Sequence, residues 1–222
     1  ISVVAETESQ LNGNQNETDV KIDENGDVFV TPLKYHISSD STAEVIFDRS
    51  YKDLKSVVIP SKIRISGHVY LVTSIEYRAF YGCYDMTNIE IPSSVTSIDI
   101  YAFVYCSELT SINVSRDNPI YSSENGILYD KNKTTLVLVP EGKKGSVVLL
   151  SGVTCIGDNA CSGCSNLTSI EIPKSVTSIG NGAFRGCSGL TNINISKSVT
   201  RIGNEAFYGC SGLTSIEIPS NV

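Results

Sequence analysis

Ser175-Val176-Thr177-Ser178-Ile179-Gly180-Asn181-Gly182-Ala183-Phe184-Arg185-Gly186-Cys187-Ser188-Gly189-Leu190-Thr191-Asn192-Ile193-Asn194-Ile195 is the stretch that decides the fold. Its apolar residues are Val176, Ile179, Ala183, Phe184, Cys187, Leu190, Ile193 and Ile195, with polar residues between them. The same pattern returns along the chain. Val72-Thr73-Ser74-Ile75, Val95-Thr96-Ser97-Ile98, Val153-Thr154-Cys155-Ile156, Val176-Thr177-Ser178-Ile179 and Val199-Thr200-Arg201-Ile202 start 23, 58, 23 and 23 residues apart, and Val222 falls where a sixth would begin. A 23-residue period means one structural unit repeated. The inward positions of one unit cannot form a core alone. Stacked on neighbours, each buried side chain contributes ~1.5 to 3 kcal/mol, largely offset by the entropy of ordering the chain. The pattern therefore predicts a one-dimensional solenoid held by contacts between adjacent repeats.

Leu190-Thr191-Asn192-Ile193-Asn194-Ile195 has the L-x-x-L-x-L spacing of leucine-rich repeats, with Ile193 and Ile195 inward and Asn192 and Asn194 outward. It reads as a short parallel strand. Val-Thr-x-Ile reads as a second strand, and Ala-Phe-x-Gly-Cys as a tight helical turn that points its aromatic ring inward. The 58-residue gap is one normal period plus a longer one. In it, Asn118-Pro119-Ile120-Tyr121, Asn125-Gly126-Ile127-Leu128-Tyr129 and Leu136 to Pro140 read as strands joined by turns, an antiparallel hairpin insertion near 116–152 that protrudes from the stack. Val57-Val58-Ile59-Pro60 resembles Ile89-Glu90-Ile91-Pro92 and is followed by a hairpin at Ser66-Gly67-His68. The expected organisation is an acidic, flexible leader over 1–27, an N-terminal β cap over 28–71, and five repeat units over 72–222. The fold class is a β-rich, right-handed leucine-rich repeat solenoid. With no comparable cap after Ser220-Asn221-Val222, a fragment of a longer array is expected.

Leu213-Thr214-Ser215-Ile216-Glu217-Ile218-Pro219, with Ser175 to Gly180 and Ala183-Phe184-x-Gly186-Cys187, closely resembles the BspA-type leucine-rich repeat family, over residues 57 to 222. Cys161 stands where other repeats have Phe, Met86 where they have Leu, and Tyr105 where they have Gly. The resemblance implies an exported bacterial protein. Family members are mostly exported proteins of host-associated bacteria and some protozoa, and several are adhesins for extracellular-matrix proteins or neighbouring cells. On that basis the chain is expected to be a non-enzymatic, secreted or cell-surface binding and adhesion module for an extracellular protein or glycan. The alternative is a structural spacer that carries other domains away from the surface.

Composition narrows the partners. Of the net charge of −7, residues 1–30 carry −6: Glu6, Glu8, Glu17, Asp19, Asp23, Glu24 and Asp27 against Lys21. The near-neutral remainder has no basic stripe, so nucleic acid and anionic membrane surfaces are not expected partners. No run of about 18 apolar residues would insert in a bilayer. A monomer is expected. The chain starts at Ile1 without an initiating Met, as a processed form would, and contains no export signal.

Candidate sites are weighed against packing. Cys83, Cys106, Cys164, Cys187 and Cys210 share one repeat offset, so they read as a stacked structural column whose parallel Cβ vectors do not suit disulfides. Cys161-Ser162-Gly163-Cys164, with Cys155 nearby, supplies two of four zinc ligands and lacks the others. No metal or cofactor is expected. Asp23-Glu24-Asn25-Gly26-Asp27 opens like a calcium loop but has Gly at the wrong position, and reads as a β-turn. His36 and His68 read as surface residues of the cap. No catalytic residue is assigned; only Tyr121, Tyr129 and Asp130 of the insertion could build an enzyme pocket. The outward strand column Glu90, Asn113, Glu171, Asn194 and Glu217, flanked by Asn88, Ser111, Ser169, Asn192 and Ser215, is the candidate ligand-binding surface.

Overall fold

The computed structural model describes residues 3–5 and 18–222. β1 (Val3–Ala5) pairs antiparallel with β2 (Thr18–Ile22), and β2, β3 (Val28–Val30), β4 (Leu33–Ile37) and β5 (Thr42–Val45) follow as an antiparallel meander. Alternation puts Val28, Val30, Leu33, Tyr35, Ala43 and Val45 into the core. The cap therefore reaches back beyond residue 28, because Lys21 and Ile22, counted above with the leader, pair with Phe29 and Val28. Residues 1–2 and 6–17 of the acidic leader lie outside the described residues. The acidic stretch at Asp23 is a turn. Gly26 N donates to Asp23 O (3.0 Å), and the Asp23 carboxylate accepts from Asn25 N and Asp27 N. Lys34 Nζ lies 2.6 Å from that carboxylate and holds its pKa below the ordinary value.

A 3-10 turn (Arg49–Asp53), capped by the Asp48 side chain on Ser50 N, leads to β6 (Ser56–Val58), β7 (Lys62–Ile65) and β8 (His68–Ile75). β7 and β8 form a hairpin whose turn residues Ser66 and Gly67 both hold positive φ. β5 pairs parallel with β8, matching Ala43 to Val72 and Val45 to Ile75. Residues 42–59 are thus a degenerate coil. Ala43 and Val45 fill the first strand slots, Tyr51 stands under the Phe80 ring (5.4 Å between centroids), and Val57 and Ile59 fill the second strand.

Beyond the cap, β9 (Asn88–Ile91) and β11 (Ser111–Val114) extend β6 as a parallel ladder, and β10 (Ser97–Ile98) extends β8. Between strands the chain makes overlapping turns closed by i→i+3 bonds, such as Tyr81 N to Arg78 O and Cys83 N to Phe80 O. Coils also bond to each other there: Gly82 N donates to Val104 O, as Gly186 N does to Tyr208 O. Phe80 stacks on Phe103 at 5.6 Å, and Phe184 on Phe207 at 5.3 Å.

The insertion is built into the stack and does not protrude from it. β12 (Tyr121–Glu124) and β13 (Ile127–Asp130) form a hairpin over an Asn125-Gly126 turn, and β13 pairs antiparallel with β14 (Thr135–Leu138). The turn lies against β11: Ile112 N donates to Gly126 O, Val114 N to Ser123 Oγ, and a Cβ on Gly126 would come 2.9 Å from Ser111 Cα. β14 then pairs parallel with β16 (Cys155–Ile156), and β15 (Gly145–Val148) starts a second strand-face ladder with β17 (Leu167–Glu171) and β19 (Asn192–Ile193). β18 (Ser178–Ile179) and β20 (Arg201–Ile202) complete the ladder begun by β14 and β16. Residues 134–150 are therefore a shortened coil.

Two residues repair the break that this causes. Asn118 stands 23 residues after Val95, in the slot of a repeat's first Val, and is fully buried. Its amide donates to Pro92 O (2.9 Å) and Val95 O (2.8 Å) and accepts from Ile120 N and Tyr121 N. Tyr105, in the Gly slot with φ +62°, has no next-coil carbonyl within the regular pattern; its N–H donates instead to Glu141 Oε1 at 2.9 Å. Burial pushes the Glu141 carboxyl up, opposed by this bond.

The buried residues fall into two clusters that meet at the hairpin. Leu128 belongs to the N-terminal cluster, while Ile127 and Tyr129 belong to the C-terminal one. Cys161, in the slot where other repeats carry Phe, is fully buried, as is Tyr129, whose hydroxyl burial pushes up to about 12. Cys161→Phe, which restores the repeat residue, is accordingly expected to overpack this region and destabilise the chain by about 1–3 kcal/mol. Thermal unfolding checks this, and a variant as stable as the parent would refute the packing account.

Candidate functional site: the strand face

Each strand of the second type alternates one inward apolar residue with one outward residue, so the outward ones line a continuous face. In the first ladder the register sets Val58 beside Glu90 and Glu90 beside Asn113. In the second it sets Val148 beside Glu171, and Asn194 follows in the same register, sharing a shallow groove with Glu171. Glu90, Asn113, Glu171, Asn194 and Glu217 are all exposed. Glu217 lies beyond the last strand, where it lines a groove with Asn194, Lys174 and Lys197. The five do not form one unbroken row, because the Asn125-Gly126 hairpin sits where the next parallel strand would pair with β11.

What sequence reading missed is the first member of each row. Val58 and Val148 are 62% and 61% exposed, unusual for valine in a strand. Each belongs to a Ser-Val-Val triplet, 56–58 and 146–148, which was the available signal. The face thus carries the row Val-Glu-Asn twice, once on each side of the hairpin. Side chains within the first row are ordered: Asn113 Nδ2 donates to Asn88 Oδ1 at 2.7 Å, and Ser111 Oγ to Asn113 Oδ1 at 3.0 Å. A groove of about 350 Å³ opens beside it, lined by Val58, Glu90, Asn113 and Ser115.

The cysteines are placed for packing. All seven are free thiols, and Cys83, Cys106, Cys164, Cys187 and Cys210 are buried. The thiols of four of them reach a backbone carbonyl of the preceding coil: Cys106 to Phe80 O, Cys164 to Val139 O, Cys187 to Cys161 O and Cys210 to Phe184 O, at 3.0 to 3.4 Å. Burial pushes the Cys161 and Cys164 thiols well above their ordinary range, away from thiolate chemistry. No cluster of His, Cys, Asp or Glu among the described residues could hold a metal ion. His36 and His68 are exposed, and His36 Nδ1 lies 2.9 Å from Asp27. Tyr121, Tyr129 and Asp130 do not converge. Tyr121 OH accepts from Ile98 N, Tyr129 is in the core, and the Asp130 carboxylate accepts from Thr134 N, Thr134 Oγ1 and Thr135 N. Among the described residues no helix is long and apolar enough to cross a membrane.

A family model described as the BspA type leucine rich repeat region matches residues 35–144 and 140–222, in six copies. The chain belongs to the BspA-type leucine-rich repeat family. The match begins at residue 35, earlier than the resemblance above, because the coil at 42–59 keeps the repeat's slots with altered residues. Among solved structures, the BspA-type chain is similar to a leucine-rich repeat protein from Eubacterium ventriosum, with 23% identity and a TM-score of 0.54, over 82% of this chain and 69% of that one. It is also similar to a leucine rich cell surface protein from Faecalibacterium prausnitzii, with 24% identity and a TM-score of 0.51, over 90% of this chain and 55% of that one. At these identities the likeness shows the solenoid fold. No curated protein matches the chain.

Proposed function

We propose that this chain is a binding module displayed on or released from a bacterial surface, which recognises an extracellular protein or glycan through its strand face. The observation that carries the reading is the Val-Glu-Asn row, present once on each half of the solenoid with its valine more than half exposed. Repetition of one chemistry on a rigid face suits a ligand that is itself repetitive, since engaging both rows raises avidity without new contacts. The name of the Faecalibacterium prausnitzii protein, a cell surface protein, supports the location. Solenoid folds of this family are typically non-enzymatic, and the reading requires no catalytic group.

The test is binding of the chain to an array of extracellular-matrix proteins and glycans, beside the Glu90→Lys/Glu171→Lys/Glu217→Lys variant. All three positions are exposed, so the fold should persist. Specific binding that weakens about tenfold or more in the variant is expected. Binding retained at full strength would remove the strand face from the interaction, and no binding to any component would favour a spacer.

A further inference from the structure

A second surface lies on the turn segments of the first coils. Phe47, Tyr81 and Tyr84 line a shallow open groove of about 440 Å³, with Asp48, Arg49 and Lys52 at its rim. Phe47 is 43% and Tyr84 57% exposed, a high solvent cost for two aromatic rings. The rings are held in place. Tyr81 packs edge-on against Tyr105 at 5.3 Å, the Arg78 guanidinium lies 4.8 Å from the Tyr81 centroid, and Tyr84 lies over Gly82.

The chemistry of the groove selects among occupants. A partner strand could not be added here, because the turn N–H groups are already used between coils, Phe80 N on Ala102 O and Gly82 N on Val104 O. The floor is aromatic, and beside the hydroxyls of Tyr81, Tyr84 and Ser50 the polar lining is charged, Asp48, Arg49 and Lys52, which suits an ionised side chain next to an apolar segment. Polyproline II segments suit such a floor: their rings stack on aromatic faces, and they are extended before binding and lose little entropy. Arg49 and Lys52 have no carboxylate partner among the described residues and outnumber Asp48, whose carboxylate accepts from Ser50 N, so the rim carries a net positive charge and favours an acidic group. We propose that the Phe47–Tyr81–Tyr84 groove binds a proline-rich, extended segment of a partner protein that carries an acidic residue beside its prolines.

A fluorescent oligoproline peptide flanked by glutamates, titrated with the full chain and followed by anisotropy, tests this. Saturable binding is expected, weakened about tenfold or more by Tyr81→Ala/Tyr84→Ala. Arg49→Glu/Lys52→Glu, two exposed changes that spare the core, should reverse the preference from the glutamate-flanked to a lysine-flanked peptide. Tyr208→Ala, at the same repeat position as Tyr81 but far along the chain, should change nothing. Circular-dichroism melts of the variants separate lost binding from lost folding. Absence of saturable binding, equal affinity across the tyrosine and charge variants, or saturable binding of a β-glucan oligosaccharide in place of the peptide would each overturn the proposal.

Discussion

Asn118→Ala should lower the stability of the chain by about 3–5 kcal/mol, as measured by urea denaturation. The effect is large because one side chain satisfies four backbone groups in a site with no solvent exposure. Truncation leaves the Pro92 and Val95 carbonyls and the Ile120 and Tyr121 amides without these partners, and an unsatisfied buried group costs about 1–3 kcal/mol where water cannot replace the bond. Asn118→Asp should be no better, since a carboxylate keeps the acceptor side but sets an oxygen against two carbonyls. Amide exchange should accelerate first at Ile120 and Tyr121, where the insertion leaves the stack. A loss below about 1 kcal/mol would mean that water enters and takes over the bonds.

Phe184→Ala is expected to cost about 3–5 kcal/mol, within the range for deleting a fully buried aromatic ring. Its location predicts more than its size. Phe184 stacks on Phe207 inside the C-terminal cluster, and that cluster meets the N-terminal one around the hairpin and β14, with Leu128, Val137 and Leu138 on one side and Ile127, Tyr129, Leu136 and Val139 on the other. Repeat proteins are stabilised by nearest-neighbour contacts, so the loss should stay with the coils that share Phe184's core. Hydrogen exchange followed by mass spectrometry should show residues 153–213 opening at lower denaturant while residues 28–112 keep their protection. A single transition that shifts as a whole would show that the hairpin couples the two halves fully.

The repeat itself was legible because every unit solves the same problem with the same slots. Val176, Ile179, Phe184, Cys187, Leu190 and Ile193 are buried where the spacing put them, and so are their counterparts one period earlier; one period later Val199 and Cys210 are buried, Ile202, Phe207 and Leu213 partly so, and Ile216 is exposed at the end of the stack. The outward positions of the strand face followed from the same alternation. The Asn118 pin also left a trace, a polar residue one period after Val95, but its meaning depends on four partners supplied by two separate segments.

What the amino-acid order by itself determined was everything with a period: the solenoid, the cysteine column, the inward and outward faces, and the membership of the family. Such features need only short-range alternation and a neighbour of the same kind. Only the tertiary structure decided the features that join unlike segments. Leu128 and Tyr129 are adjacent in the chain yet enter opposite cores. Glu141 supplies the acceptor that Tyr105 lacks. Residues 47–52 meet Tyr81 and Tyr84 through the stacking of one coil on the next. The physical reason is that packing complementarity is a property of surfaces brought together, and a one-dimensional pattern records only which residues face inward, not what they meet there.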